Sequence, residues 1–96
     1  MATTLPNIQL SFVQYPLNYE FIMTINEKIG HRITTLRVQK DISQKALAFD
    51  AEINRTYLSG VEKGVRKISV ETLEKITKAL NISLMEFFNH NQFLDE

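Results

Sequence analysis

Apolar residues recur every three or four positions over most of this chain. Between Ile22 and Leu36 they occupy positions 22, 25, 29, 33 and 36, which places them on one face of an α-helix expected to end near Gln39. The same spacing returns in four shorter segments farther along the chain. The sequence therefore predicts an all-α fold of five helices. The inner residues predicted for the fourth helix are Val70, Leu73, Ile76 and Leu80.

Residue types that favour helix N-termini precede the last four helical segments, and their side chains can accept the unpaired amide hydrogens there. These residues are Ser43, Asn54, Ser69 and Ser83. Glu86 completes a capping-box pattern for the fifth helix. Gly64 is placed to end the third helix in the left-handed conformation, and Phe87 is expected in the core. Residues 90–96 are expected to fray, with the alternative that Phe93 and Leu94 extend a contact surface.

The first nineteen residues have a different pattern. Ile8, Leu10 and Phe12 alternate with polar residues, which is the period of a half-buried strand. Such a strand needs a partner, so residues 1–19 are expected to form an N-terminal extended arm. It would pair with a second subunit, lie on the helical body or be poorly ordered. Residues 20–96 are expected to form the helical domain.

Composition excludes several classes of protein. The 96 residues contain no cysteine and only two histidines, so disulfides and cysteine-ligated zinc are excluded, and no metal or other cofactor is predicted. The chain lacks a signal-peptide pattern and an apolar run of the roughly 20 residues that span a bilayer. We therefore expect a cytoplasmic protein without membrane contact. The sequence shows no nucleophile–base pair, so we do not expect an enzyme.

The net charge is zero, but its distribution is uneven. Residues 25–67 carry nine bases and five acids, whereas residues 68–96 carry two bases and five acids. This pattern fits a half that faces DNA and a half that faces a protein partner. Chance clustering is the alternative.

The segment 43–67 carries the functional signal. It predicts two helices of about eight residues joined by a turn of three or four, which is the spacing of a helix-turn-helix unit. The second helix would present Asn54, Arg55 and Thr56 at its N-terminal end, with Ser59 one turn along. Arginine is the side chain best shaped for the two acceptors of guanine. These residues are therefore candidates for contacting base edges.

The stretch from about Ile25 to Phe88 resembles the Cro/lambda-repressor type of helix-turn-helix domain, the XRE-like family. Within it, the run NRTYLSGVE from Asn54 and the following KGVRK are similar to the controller proteins of type II restriction–modification systems. Phage repressors and antitoxins share much of this run. The resemblance implies a five-helix DNA-binding domain.

The resemblance also implies individual roles. Arg55 and Thr56 match positions that contact bases, and Gln44 matches a glutamine that bonds a phosphate and braces the recognition helix. The remaining positions match residues that contact the DNA backbone or a nearby base: Arg37, Tyr57, Ser59, Arg66 and Lys67.

Each of these residues also has a structural interpretation. The arginines and Lys67 would be solvated, Gln44 would favour the first helical turn, and the Ser59 hydroxyl would bond its own backbone. Tyr57 is expected to be partly core with its hydroxyl available to a phosphate. Glu62 is expected to pair with a nearby arginine.

Two positions depart from the family pattern. Glu52 stands where many members have glycine, and a left-handed Glu52 would cost about 1–2 kcal/mol. Gly60 lies inside the third helix at a cost of about 1 kcal/mol relative to alanine, and close approach of a neighbouring helix is the expected reason.

A single recognition helix contacts too few base pairs to select one site in a genome. The sequence therefore predicts a homodimer on an inverted-repeat operator, with Leu84, Met85 and Phe88 at the dimer interface. The alternative is that these three residues complete the core of the single chain. The resemblance implies regulation of the chain's own gene and of an endonuclease gene, with RNA polymerase as a partner for activation. A phage-type repressor, an antitoxin and an interaction module without DNA binding are the alternatives.

Overall fold

The fold was obtained as a computed structural model, which describes residues 23–94. Within this range the chain forms five α-helices and one short 3-10 turn, with no strand. The helices are α1 (Ile25–Gln39), α2 (Gln44–Ala51), α3 (Arg55–Glu62), α4 (Val70–Ala79) and α5 (Leu84–Phe88), and the 3-10 turn is Asn91–Phe93. The predicted five-helix, all-α architecture is confirmed. The predicted arm of residues 1–19 lies outside the described residues.

Side-chain caps begin every α-helix. Each of the four predicted capping side chains accepts a hydrogen bond from the backbone amide three residues later, at Ser43, Asn54, Ser69 and Ser83. The capping box of Ser83 and Glu86 is present. A second capping box, Thr24 with Glu27, begins α1. Because each cap satisfies amides that the helix leaves unpaired, the helix starts are determined by local sequence.

The core lies where α1, α2, α3 and α4 meet. Helix α1 packs against α3, α2 packs against both α3 and α4, and α5 packs against α4. All five helices contribute buried apolar residues, and Leu80 follows directly after α4. The buried apolar residues are Ile29, Ile33, Leu36, Leu47, Ala48, Ala51, Leu58, Val61, Leu73, Ile76, Leu80 and Phe87. The predicted burial of Phe87 is confirmed. This packing fixes α3 between α1 and α2.

Two residues predicted to be inward are exposed. Ile25 is 57% exposed and Val70 is 74% exposed. Each is the first residue of its helix, and the buried stripe begins one turn later, at Ile29 and Leu73. Helical spacing alone does not reveal where the neighbouring helices end, so both predictions were wrong.

The C-terminal segment is more ordered than the sequence indicates. Residues 91–93 form a 3-10 turn whose N-terminal cap is His90. The Phe93 ring packs on the core, with its centroid 6.0 Å from that of Phe87 and 5.0 Å from that of Phe88. The prediction that this segment frays was wrong for residues 90–94, because aromatic packing holds the turn against α5.

Candidate DNA interface

Helices α2 and α3 form the predicted helix-turn-helix unit. Each has eight residues, and residues 52–54 connect them. Glu52 ends α2 in the left-handed conformation, with φ 59° and ψ 43°. The chain thus makes the turn without the glycine that many family members have there. Asn54 then caps α3, since its Oδ1 accepts from the Tyr57 amide at 3.0 Å.

Three consecutive polar side chains lie at the start of α3. Asn54, Arg55 and Thr56 are all exposed, and Ser59, one turn later, is half-buried. The buried face of α3 is formed by Leu58 and Val61. The polar residues therefore lie outside the helix packing, where they are accessible to the base edges of a DNA groove.

Glu62 joins three helices through hydrogen bonds. Arg37 of α1 donates from Nε to Glu62 Oε2 at 2.8 Å and from Nη2 to Glu62 Oε1 at 3.0 Å. Gln44 of α2 donates from Nε2 to Glu62 Oε1 at 2.9 Å. The Glu62 side chain is only 5% exposed and that of Arg37 is 15% exposed. The predicted pairing of Glu62 with an arginine is confirmed, and Gln44 is braced against α3.

The Arg37 side chain makes three hydrogen bonds within the protein. Besides its two bonds to Glu62, its Nη1 donates to the Ile42 carbonyl at 2.9 Å. Its predicted contact with DNA stays a prediction, and that contact would have to be made beside three internal hydrogen bonds.

The loop after α3 is tied to that helix. Tyr57 donates its hydroxyl hydrogen to the Lys67 carbonyl at 2.9 Å, and its ring is half-buried against the core. Gly64 adopts φ 79°, as predicted for the end of α3. The exposed residues Arg66 and Lys67 are therefore presented from a constrained loop. A phosphate contact by Tyr57 stays a prediction. To make it, the Tyr57 hydroxyl would have to donate its hydrogen to the phosphate in place of the Lys67 carbonyl.

The charge of this surface is strongly positive. Residues 55–67 contain four bases, namely Arg55, Lys63, Arg66 and Lys67, and one acid, Glu62. All four bases are exposed, whereas the acid is buried and neutralised by Arg37. The overall charge of zero therefore conceals a basic face on α3 and its loop, which suits a phosphate backbone.

Helix α5 carries an apolar surface. Met85 is 80% exposed and Phe88 is 38% exposed, and together with Leu84 and Asn89 they line a shallow depression. The three residues predicted for the dimer interface thus line one surface, and Leu84 among them is half-buried and packs against the core. Because α5 packs mainly against α4, this surface belongs to a different part of the fold from the recognition helix.

Residues 23–94 contain neither a metal-binding cluster nor a membrane-spanning helix. No group of three or more histidine, cysteine or acidic side chains could hold a metal ion. None of the helices in the same range is long and apolar enough to cross a membrane.

Comparison with known proteins gives the family. The model of the helix-turn-helix family matches residues 33–87. The control protein C.BamHI of Bacillus amyloliquefaciens is 40% identical over 63 residues, which are 62% of this chain and 78% of the relative. The chain belongs to the helix-turn-helix family, among its restriction–modification controller proteins.

Solved structures of controller proteins share the fold of this chain. The controller C.AhdI from Aeromonas hydrophila matches with a TM-score of 0.64 and 40% identity, over 66% of this chain and 96% of that one. The controller C.Esp1396I, solved as a tetramer in complex with its natural 35-base-pair operator, matches with a TM-score of 0.63 and 35% identity, over 66% of this chain and 83% of that one. The fold expected from the family resemblance is thus confirmed.

The controller-family fold brings most of the predicted site residues together. Arg55, Thr56 and Ser59 share α3, the Tyr57–Lys67 hydrogen bond ties the loop of Arg66 to that helix, and Gln44 joins through Glu62. Sequence reasoning missed the Lys67 carbonyl as the partner of Tyr57. It also misassigned the neighbour of Gly60, which is the side chain of Arg66 and not a helix.

Proposed function

We propose that this chain is a homodimeric transcription regulator that binds inverted-repeat operators at its own promoter and at the promoter of a restriction endonuclease gene. The observation that carries the proposal is the start of α3. There, three exposed hydrogen-bonding side chains lie on a helix that is followed by a basic loop. The helix is anchored to α1 and α2 by the hydrogen bonds from Arg37 and Gln44 to Glu62. The names of the similar proteins, which are those of restriction–modification controllers, support the gene context.

In the proposed complex α3 lies in the major groove. Arg55 donates to the O6 and N7 acceptors of a guanine, and the Thr56 methyl contacts a thymine methyl. Asn54 keeps its oxygen on the Tyr57 amide and has its amide hydrogens for a base or a phosphate. Ser59 contacts a base or phosphate one turn along.

Phosphate contacts flank this helix. Arg66 and Lys67 contact the backbone from the loop after α3, and Gln44 uses the second hydrogen of its braced amide at the start of α2. Arg37 supports this arrangement by donating three of its five N–H hydrogens to Glu62 and the Ile42 carbonyl, and the remaining hydrogen on each of Nη1 and Nη2 is left for a backbone phosphate. Phosphate contacts fix the position of a protein on DNA and base contacts select the sequence.

The proposal requires two copies of the chain. A two-fold dimer sets two recognition helices about 34 Å apart on one face of the duplex. Leu84, Met85 and Phe88 are its proposed interface, because these three apolar side chains line one shallow depression away from α3, whereas an exposed apolar residue such as Phe49 lies on a different helix, α2. In this division residues 20–96 form the binding and dimerisation domain and residues 1–19 an additional arm.

Regulation follows from occupancy in this proposal. A dimer at the promoter activates by contacting RNA polymerase, and a second, weaker site represses when it fills at higher concentration. Such a regulator acts in the cytoplasm, where the operator is transcribed.

Selection of bound fragments from a random DNA library tests the proposal. We expect an inverted repeat whose half-site centres are 10–10.5 base pairs apart, which is about one helical turn. A selected site without symmetry would contradict the dimer, and a selection without enrichment would favour an interaction module that does not bind DNA. The genes beside genomic copies of the selected sequence distinguish a controller from a phage repressor or an antitoxin.

A further inference from the structure

Gly60 lies inside the recognition helix, where glycine is unfavourable relative to alanine. A Cβ atom at this position would come 2.5 Å from Cγ of Arg66, 3.5 Å from its Cβ and 3.7 Å from its Cδ. The space that a methyl group would fill is therefore occupied by the aliphatic stem of Arg66.

The backbone fixes where the Arg66 stem begins. The Val65 and Arg66 amides both donate to the Gly60 carbonyl, at 3.0 Å and 3.2 Å. Because these bonds fold the loop back over the end of α3, the Cα of Arg66 is held close to Gly60. The direction of the side chain is then determined by the surface against which its stem packs.

Nothing else in the described part of the chain directs the Arg66 guanidinium. Within residues 23–94 the structure gives it no hydrogen bond and no salt bridge, and the residue is exposed. Gly60 follows Thr56 by four residues, and side chains spaced by four lie on the same face of a helix. The Arg66 stem therefore covers the helical face that begins at the proposed base-contacting residue Thr56.

We propose that Gly60 is a positioning residue, whose missing side chain directs the Arg66 guanidinium onto a DNA phosphate beside the contacted bases. This rests on the proposed function. The arginine keeps a defined direction before DNA arrives, so less side-chain entropy is lost on binding. An alanine at position 60 would force the stem of Arg66 into another rotamer and move the guanidinium away from the phosphate.

The first test is Gly60→Ala in the full-length protein. The clash with Cγ of Arg66 is relieved only by rotation of that side chain about χ1, while alanine favours the helix, so the thermal midpoint should stay close to that of the wild type. The Kd for the selected operator and for a scrambled duplex should both rise by a similar factor, about tenfold. The slope of log Kd against log salt concentration should fall by about 0.9 for each phosphate contact that is lost. An unchanged Kd and salt slope would overturn the positioning role.

The second test is a double-mutant cycle with Arg66→Ala. If Gly60 acts through Arg66, Gly60→Ala should have almost no effect on the Kd once the arginine is gone, whereas independent effects would multiply. A tenfold loss that persists in the Arg66→Ala background would show that the added methyl group acts directly on DNA or on α3, and would overturn the proposal.

The same titrations separate this inference from the function on which it rests. If the wild-type protein binds no DNA, both the function and the positioning role are wrong. If the wild-type protein discriminates its operator while Gly60→Ala behaves like the wild type, only the positioning role is wrong.

Discussion

Glu62 is the residue at which α1, α2 and α3 are connected. Its carboxylate accepts three hydrogen bonds, two from Arg37 and one from Gln44. Both charged side chains are largely removed from water. Removing one charge from a buried pair leaves the other unneutralised, which is more costly than the pair itself is stabilising.

We therefore expect Glu62→Gln to lower the free energy of unfolding by about 3 kcal/mol. The change keeps the shape of the side chain and removes only its charge. Urea unfolding followed by circular dichroism measures the loss, with Glu74→Gln on the exposed side of α4 as the control. A urea midpoint for Glu62→Gln equal to that of the control would show that the network contributes no stability.

Glu52 gives a prediction of the opposite sign. It adopts a left-handed conformation, with φ 59°, that disfavours side chains carrying a Cβ. Glu52→Gly should raise the free energy of unfolding by about 1 kcal/mol. In the same helix, Ala46→Gly should lower it by about 1 kcal/mol, because that residue has helical geometry. Destabilisation by Glu52→Gly in thermal unfolding would mean that the turn gains more from the Glu52 side chain than it loses to backbone strain.

Helix α5 is too short to be stable alone, and both of its ends are held. Its start has the Ser83–Glu86 capping box. At its end Arg32 of α1 donates from Nε to the Phe87 carbonyl at 2.8 Å and from Nη2 to the Glu86 carbonyl at 2.9 Å. A residue of the first helix thus holds the helix that carries the proposed dimer surface.

Arg32→Ala should lower the free energy of unfolding by about 2 kcal/mol, since two charge-assisted hydrogen bonds are lost at a partly exposed site. It should also weaken self-association, because α5 loses its attachment at the end next to Phe88. Denaturant unfolding and sedimentation velocity measure the two effects, and His31→Ala, on the exposed side of the same helix, is the control. Arg32→Ala with unchanged stability and association would contradict this role.

At the scale of elements, the sequence predicted what local chemistry determines. Caps such as Ser43 and Asn54 act within three residues of chain, and so the starts of α2 to α5 were predicted correctly, whereas the Thr24 cap of α1 was not predicted. Contacts that only the folded chain brings together were predicted less well. Ile25 lies on the correct helical face but beyond the core, and the neighbour of Gly60 is a side chain six residues farther along the chain.

The site shows the same division. The exposed run from Asn54 to Thr56 follows from the spacing of the motif, and the structure presents it as expected. The pairing of Arg37 with Glu62 crosses 25 residues of sequence, and only the packing of α1 against α3 brings the two side chains together. Sequence assigned Glu62 an arginine partner but could not identify which arginine.

The whole molecule must associate to function as proposed. Met85→Asp places a charge on the apolar surface of α5, at a residue exposed in the single chain, so it should break the dimer without unfolding the protein. Sedimentation equilibrium should then give a monomer, and the Kd for the inverted repeat should rise by more than about 100-fold because avidity is lost. Phe49→Asp, at a comparably exposed residue of α2, is the control for association. If Met85→Asp remained a dimer, the dimer interface would have to lie on another surface.

In the proposed complex the start of α3 selects the DNA sequence, and the loop that follows it binds the DNA backbone. The most direct measurement is the ratio of Kd values for a scrambled duplex and the selected operator, determined by fluorescence anisotropy for the wild type, Arg55→Ala and Arg66→Ala. We predict that Arg55→Ala lowers this ratio to near one at unchanged thermal stability, whereas Arg66→Ala weakens both duplexes alike and leaves the ratio unchanged. If Arg55→Ala retained the wild-type ratio, Arg55 at the start of α3 would not select the DNA sequence.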